Sequence, residues 1–270
     1  VEFQFQAWPI FVFAKRRRDL GAIMWRDDLA YLFPLESLSS ELDRRYLAHL
    51  YEHVRERHQE YQYLEVGSYL GGTLTPALRD ERCTRVLSID LRPNIQPDAR
   101  NADHDYSHIS TSLMLNKLRA VGELDLSKLE TFDGSTAAHH FNDESFQFAF
   151  IDAEHTDEAV FRDFVSLYDH LDDFAVCAFH DTNLISSGVE NILSFLRYQG
   201  RTHSFVAFSG SSVSAIFFYQ ENEFLSSHFL ANAANWHNFK NASRDQLLFE
   251  GIRNRCVMNF TLKEKPVFPI

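Results

Sequence analysis

The chain has 270 residues, 45% of them apolar and 24% charged, which is the ordinary range for a globular chain with a sizeable core. Its 26 basic side chains against 38 acidic ones give a formal charge of -12, a field that disfavours a nucleic-acid partner. No apolar run reaches the roughly 18–20 residues that span a bilayer, so no membrane partner is expected.

The three cysteines, Cys83, Cys177 and Cys256, form neither a CxxC pair nor a disulfide framework, which points to a reducing compartment and a cytoplasmic protein. Val1 stands where an initiator methionine would, as in a processed or excised chain. The Lys15-Arg16-Arg17-Arg18 run follows the apolar segment Phe3–Ala14 instead of preceding it, the reverse of a signal peptide, and reads as a solvated surface patch. Residues 1–38 show no clean period and are predicted to be irregular with short elements. Ser40 and Asp43 resemble a capping box opening a helix to His58, with Leu42, Tyr46, Leu47, Leu50 and Val54 apolar.

From there strand and helix signals alternate. Tyr63–Val66 reads as a buried strand and the stretch after Thr73 is compatible with a helix; Val86–Asp90 is a second strand and Ser112–Val121 a helix. Strands follow at Leu129–Phe132 and Phe146–Asp152, a helix at Glu158–Leu171, a strand at Phe174–Phe179 and a helix at Val189–Tyr198. Such alternation implies βαβ crossovers and a largely parallel sheet with helices on both faces. The last two strand runs, His203–Phe208 and Val213–Tyr219, are joined by Ser209–Ser212, too short for a crossover, and are expected to pair antiparallel. The chain thus divides into an N-terminal cap (1–58), a central α/β unit (59–220) and a C-terminal helical extension (221–270).

Three constellations carry chemistry. The segment Glu65-Val66-Gly67-Ser68-Tyr69-Leu70-Gly71-Gly72-Thr73 follows a buried strand and precedes a helix, the context in which a glycine-rich loop binds a ligand beyond the carboxyl end of a strand. Asp90 ends the second strand, where a carboxylate can accept both hydroxyls of a ribose. The third is Phe148–His155 taken with Phe179–Asn183: two apolar strands deliver Asp152 and His155, and His180 and Asp181, at their carboxyl ends. An Asp with a His/Asp pair suits a divalent cation with positions open to substrate oxygens, and a neutral His155 could take a proton from a hydroxyl. The bland alternative makes His155 and His180 hydrogen-bonding residues at strand ends; His104, His108, His139 and His140 read as surface histidines.

Together the E-x-G-x-x-x-G-G loop, Asp90, Asp133-Gly134-Ser135 and I-D-x-x-H…F-H-D-T resemble class I S-adenosylmethionine-dependent methyltransferases, most closely the group with macrolide sugar O-methyltransferases and cephalosporin-hydroxylase-like proteins, over roughly residues 60–219. The resemblance implies a Rossmann-like α/β sheet of seven strands with helices on both faces, the last two strands an antiparallel hairpin. It also implies that Glu65, Gly67, Ser68, Tyr69, Gly71, Gly72 and Thr73 form the loop at the methionine end of S-adenosyl-L-methionine. Asp90 would take the ribose, with Asp133, Ser135 and Thr136 near the adenine. Asp152 would border the cofactor and, with His180 and Asp181, ligate a divalent cation, Mg or Mn; His155 would be the general base.

The chain departs from the family pattern in three places. Ala153 replaces a Gly, Leu171-Asp172-Asp173-Phe174 replaces Pro-Gly-Gly, and His180 stands where the best metal sites are acidic, favouring Mn, Fe or Zn over Mg. The expected activity is O-methylation of a small hydroxylated acceptor, a sugar or secondary metabolite. An NAD-type oxidoreductase is the competing enzyme class, opposed by Tyr69 where the dinucleotide fingerprint needs glycine; a non-catalytic scaffold is the third reading. The partner expected is the acceptor, with a homo-oligomer left open. Trp25, Tyr31 and Phe33 are candidates to wall the acceptor pocket, or else core.

Overall fold

The computed structural model describes residues 28–35, 37–100, 103–219, 229 and 231–263. The basic run at 15–18, the segment 3–14 and Trp25 lie outside them. The cap contributes α1 (Leu29–Leu32) and α2 (Glu41–Arg57). Ser40 and Asp43 do form a reciprocal capping box at the start of α2. Then come β1 (Tyr61–Val66), α3 (Thr75–Arg79), β2 (Cys83–Asp90), β3 (Ile95–Pro97), β4 (Asp103–Asp105), α4 (Thr111–Val121) and β5 (Leu129–Asp133). The second half holds β6 (Phe146–Ile151), α5 (Asp157–Leu167), β7 (Leu171–Phe179), α6 (Ser186–Gln199), β8 (Ser204–Ala207), β9 (Ser214–Phe217) and α7 (Trp236–Lys263).

A seven-stranded sheet runs in the order β5-β2-β1-β6-β7-β9-β8. The four pairings from β5 to β7 are parallel, and β9 lies antiparallel between β7 and β8. The expected hairpin is therefore present, with its second strand inserted next to β7. Side chains alternate between two cores, as a period of two requires. On β6, Phe148 and Phe150 join Tyr51 of α2 and Leu78 of α3 on one face. Ala149 and Ile151 join Phe164 of α5 and Ile192 of α6 on the other. Each fully buried Phe contributes about 1.5–3 kcal/mol, so these strands anchor the residues that follow them.

Two predicted boundaries move. The helix expected to reach Leu171 stops at Leu167, a 3-10 turn spans Tyr168–His170, and β7 begins at Leu171 rather than Phe174. Asp172 and Asp173 read as loop, yet they sit at the amino end of the strand where their carboxylates reach solvent, and Asp172 accepts the Phe174 N–H. The β3–β4 ribbon, a separate antiparallel pair, is too short and too polar to show a period. Among the described residues, no helix is long and apolar enough to cross a membrane.

Along the chain, β1 is followed by β2 on one side and later by β6 on the other. This reversal opens a crevice at the carboxyl ends of β1 and β6, the usual ligand position in such sheets.

Candidate active site

The ladder continues one residue past each central strand and fixes the crevice floor. Gly67 N–H donates to the Ile89 carbonyl (2.8 Å), Asp152 N–H to the Val66 carbonyl (2.8 Å) and His180 N–H to the Ile151 carbonyl (3.0 Å). Gly67 has φ +88°, and a Cβ there would lie 2.0 Å from the Asp152 carbonyl oxygen. No other residue fits that position.

On the β1–β2 side, Tyr69 takes a positive φ of 46° and its N–H donates to Asp90 Oδ2 (2.8 Å). Burial raises the Asp90 pKa above the ordinary carboxylate value, against the opposing influence of Arg92 and the Tyr69 and Ser68 N–H groups. Glu65 lies fully buried beneath the loop, its two oxygens accepting from Thr73 Oγ1 (2.6 Å) and the Tyr63 hydroxyl (2.5 Å). Burial pushes its pKa up to about 8. Glu65 therefore props the loop from below.

On the β6–β7 side four ionisable side chains meet. His180 Nδ1 is 3.1 Å from Asp152 Oδ1 and 3.5 Å from Asp181 Oδ2. His155 Nε2 is 3.2 Å from Asp181 Oδ2 and 3.6 Å from Asp152 Oδ1. Burial works to lower both imidazole pKa values, but the surrounding carboxylates outweigh it and raise them, His180 strongly. Burial likewise opposes ionisation of Asp152, and the two histidines hold its carboxyl below the ordinary range. Asp181 itself adopts a positive φ of 48°, backbone strain of the kind that gathers at functional sites.

Sequence reasoning missed a fifth member. Asp43 is buried, with Oδ2 3.5 Å from His180 Nε2 and Oδ1 accepting from Ser211 Oγ (2.5 Å) and Ser212 N–H (2.9 Å). Burial disfavours its charge, yet His180, Ser211 and Ser40 more than compensate and its pKa falls well below normal. Asp43 reads from the sequence as a helix-capping residue only, and nothing local announces a partner at position 180.

The crevice is closed by two segments the sequence left unassigned. Ser37, Leu38 and Ser39 of the cap line one wall, and Gln96, Tyr106 and Ile109 line another. The β3–β4 ribbon is tied to the site by Ala99 N–H, which donates to the His155 carbonyl (3.1 Å). Asp98 holds His104 Nε2 at 2.8 Å, so His104 is tied to a buried carboxylate and is not a simple surface histidine. His139 also departs from that reading, its ring packed between Phe132 and Phe141. Tyr31 and Phe33 do not wall the crevice: Arg79 stacks over the Tyr31 ring (4.2 Å), and Phe33 is core.

Residues 64–182, the segment that carries the glycine loop, Asp90, Asp152 and the His180-Asp181 pair, match the family model of a methyltransferase domain. This segment is similar to a methyltransferase domain. No curated protein matches the chain. Among solved structures, the O-methyltransferase NovP shares the fold, with a TM-score of 0.52 and 12% identity over 65% of this chain and 79% of that one. The O-methyltransferase TomG from Streptomyces achromogenes, involved in tomaymycin synthesis and solved in complex with SAM, is 14% identical over 72% of this chain and 88% of its own, with a TM-score of 0.49.

Gly67, Ser68, Tyr69, Gly72, Thr73, Asp90, Asp152, His155, His180 and Asp181 all line the one crevice. Gly71 lies against Met114 and Leu118 of α4. Asp133 is the register partner of Asp90 and accepts from the Thr111 hydroxyl, and Thr136 is buried with its hydroxyl donating to Asp163 (2.7 Å). Ser135 opens the short turn between them. The loop residues Gly67, Ser68, Tyr69 and Gly72 line the crevice together with the Asp90 carboxylate, an arrangement that suits a ligand carrying a ribose. A divalent cation also suits the residues present. Asp152, His155 and Asp181 can each offer a ligand atom within 4.8 Å of the others. Both ring nitrogens of His180 are buried and lack a well-aligned hydrogen bond.

Proposed function

We propose that the chain is an O-methyltransferase that acts on a hydroxyl of a small molecule, assisted by a divalent cation, magnesium or manganese, with His155 as general base. The observation that carries this reading is one crevice that joins a glycine loop backed by Asp90 to a cluster of two carboxylates and two imidazoles. S-adenosylmethionine supplies a methyl group already activated by its sulfonium, so the chain's own tasks are binding, alignment and removal of one proton. The 67–72 loop and Asp90 would hold the methionine and ribose portions. Asp133 and Ser135 would flank the adenine, with Thr136 fixing that turn through Asp163.

Asp152 and Asp181 would hold the cation with one imidazole, and a cation there would lower the pKa of an acceptor hydroxyl. His180 suits the ligand role: its side chain is 6% exposed and Asp43 stands behind it, the carboxylate–histidine arrangement that orients metal-binding imidazoles. His155, at 18%, lies nearer the lip of the crevice and suits proton transfer at Nε2. The mutual distances of Asp152, His155 and Asp181 favour a second reading, in which His155 is itself the ligand. Residues 59–220 would form the donor-binding unit, with 1–58 and 221–270 shaping the acceptor side. The buried free thiols Cys83 and Cys177 suit a reducing cytoplasm.

Thermal shift and manganese calorimetry test both levels. S-adenosylhomocysteine should raise Tm and NAD should not; no shift with S-adenosylhomocysteine in excess would sink the cofactor assignment. Manganese binding should be lost in Asp181→Ala and His180→Ala and kept in His155→Ala. Loss in His155→Ala with retention in His180→Ala would make His155 the ligand.

A further inference from the structure

Arg92 lies two residues beyond the ribose-binding candidate Asp90, and its side chain is only 2% exposed. Nη2 donates to Ser88 Oγ (3.2 Å), which donates in turn to Ser68 Oγ (2.8 Å), and Nη1 reaches the Tyr69 carbonyl (3.4 Å). Nη1 also lies 3.0 Å from Met114 Sδ. Nε makes no hydrogen bond; it stands 3.6 Å from Asp90 Oδ2 and 3.7 Å from Asp133 Oδ1. A guanidinium buried this deeply is costly unless its charge is used.

We infer that Arg92 is a positioning residue that keeps the Asp90 carboxylate ready to accept the ribose hydroxyls of the methyl donor. The inference rests on the cofactor reading above. A ribose diol needs an acceptor, and a carboxylate serves as acceptor at both oxygens only when ionised. Arg92 faces Asp90 from its own strand end, the Ser68 and Tyr69 N–H groups face it from the loop, and Asp133 faces it from β5. Glu65 on β1 and Tyr106 beyond β4 are the other titratable groups that sense its charge. Burial and Asp133 push the Asp90 pKa up, and Arg92 is the largest influence holding it down. Without the guanidinium the carboxyl would stay protonated further toward neutral pH.

S-adenosylhomocysteine calorimetry from pH 6 to pH 8 tests this on the full chain, with wild type, Arg92→Met and Arg92→Lys. The mutant-to-wild-type ratio of Kd cancels the protonations of His155 and His180, which all three proteins share. For Arg92→Met that ratio should grow severalfold as pH falls across this range, because a proton must leave Asp90 before the ribose is held. Arg92→Lys restores the charge and should show a flat ratio. Should the methionine variant not fold, Arg92→Gln removes the charge while keeping a donor for Ser88 and gives the same readout. A pH-independent ratio in the neutral variants would reduce Arg92 to loop packing and overturn the inference alone. A wild type that binds no S-adenosylhomocysteine at any pH would overturn the cofactor reading, and this inference with it.

Discussion

At the β1–β2 end of the crevice the groups offered to a ligand are a backbone loop and one carboxylate, held by Tyr63, Thr73, Ser88 and Arg92 from behind. At the β6–β7 end they are side chains that titrate, Asp152, His155, His180 and Asp181, with Asp43 arriving from a helix more than a hundred residues earlier. The first end is set by main-chain geometry and tolerates little change of shape. The second is set by charge balance, so it responds to protons and cations while its frame stays put. On the proposed function, the contrast would separate holding the methyl donor from preparing the acceptor.

Breaking the geometric end should give the largest effect. Gly67→Ala drives a methyl into the Asp152 carbonyl at a position with φ +88°, and is expected to cost more than about 3 kcal/mol and to abolish S-adenosylhomocysteine binding. Gly122→Ala, at φ +70° and ψ 167° but with open space around it, should cost about 1–3 kcal/mol from backbone strain alone. Thermal denaturation of the two variants side by side isolates the steric part. Equal costs would show that the Gly67–Asp152 approach does not matter.

Next in size is the titrating end. His155→Ala should lower turnover by ~10²–10⁴-fold with donor affinity nearly intact. The His155 pKa is raised in the folded chain, so the neutral ring becomes available only as pH rises, and the ascending limb of the pH–rate profile should lie above the ordinary imidazole value of 6.5. The mutant should lose that limb. Near-wild-type turnover, or a limb unchanged in the mutant, would remove His155 as the base.

The smallest effect sharpens the comparison by reaching the site from outside. Asp43→Asn keeps the side-chain shape and an acceptor oxygen for Ser211 but removes the negative charge behind His180. Manganese affinity should fall by about 10–100-fold, the usual consequence of losing a carboxylate behind a metal-binding histidine. Donor affinity should stay unchanged by calorimetry. A variant that loses both affinities equally would mean that Asp43 only anchors α2.

The sequence made the geometric end legible because its signals are local: an apolar strand, a glycine loop and a strand-terminal Asp within 28 residues. The same holds for the sheet, whose strands are short apolar runs set between helical segments, even where helix ends are misplaced. The titrating end was half legible. Asp152, His155, His180 and Asp181 follow apolar strands that had to be neighbours, and they are. Which imidazole faces which carboxylate was not readable, because both histidines lie within reach of both acids. Asp43, the Ala99 N–H and the Ser37–Ser39 wall depend on how distant segments dock, which no period or spacing encodes. Tyr31 and Phe33 failed as pocket walls for the same reason.

Asp43 meets three obligations with one carboxyl group: it closes the cap of α2, fixes the β8–β9 turn through Ser211 and Ser212, and stands behind His180. Descent can therefore change this position only if all three contexts change with it. The cap cannot be exchanged as a free module between domains of this fold. A grafted cap that lacks an acid at this point would dock on the same apolar face and still leave His180 without the charge that orients it. Any cap transplant onto this scaffold has to keep Asp43, Ser211 and His180 together.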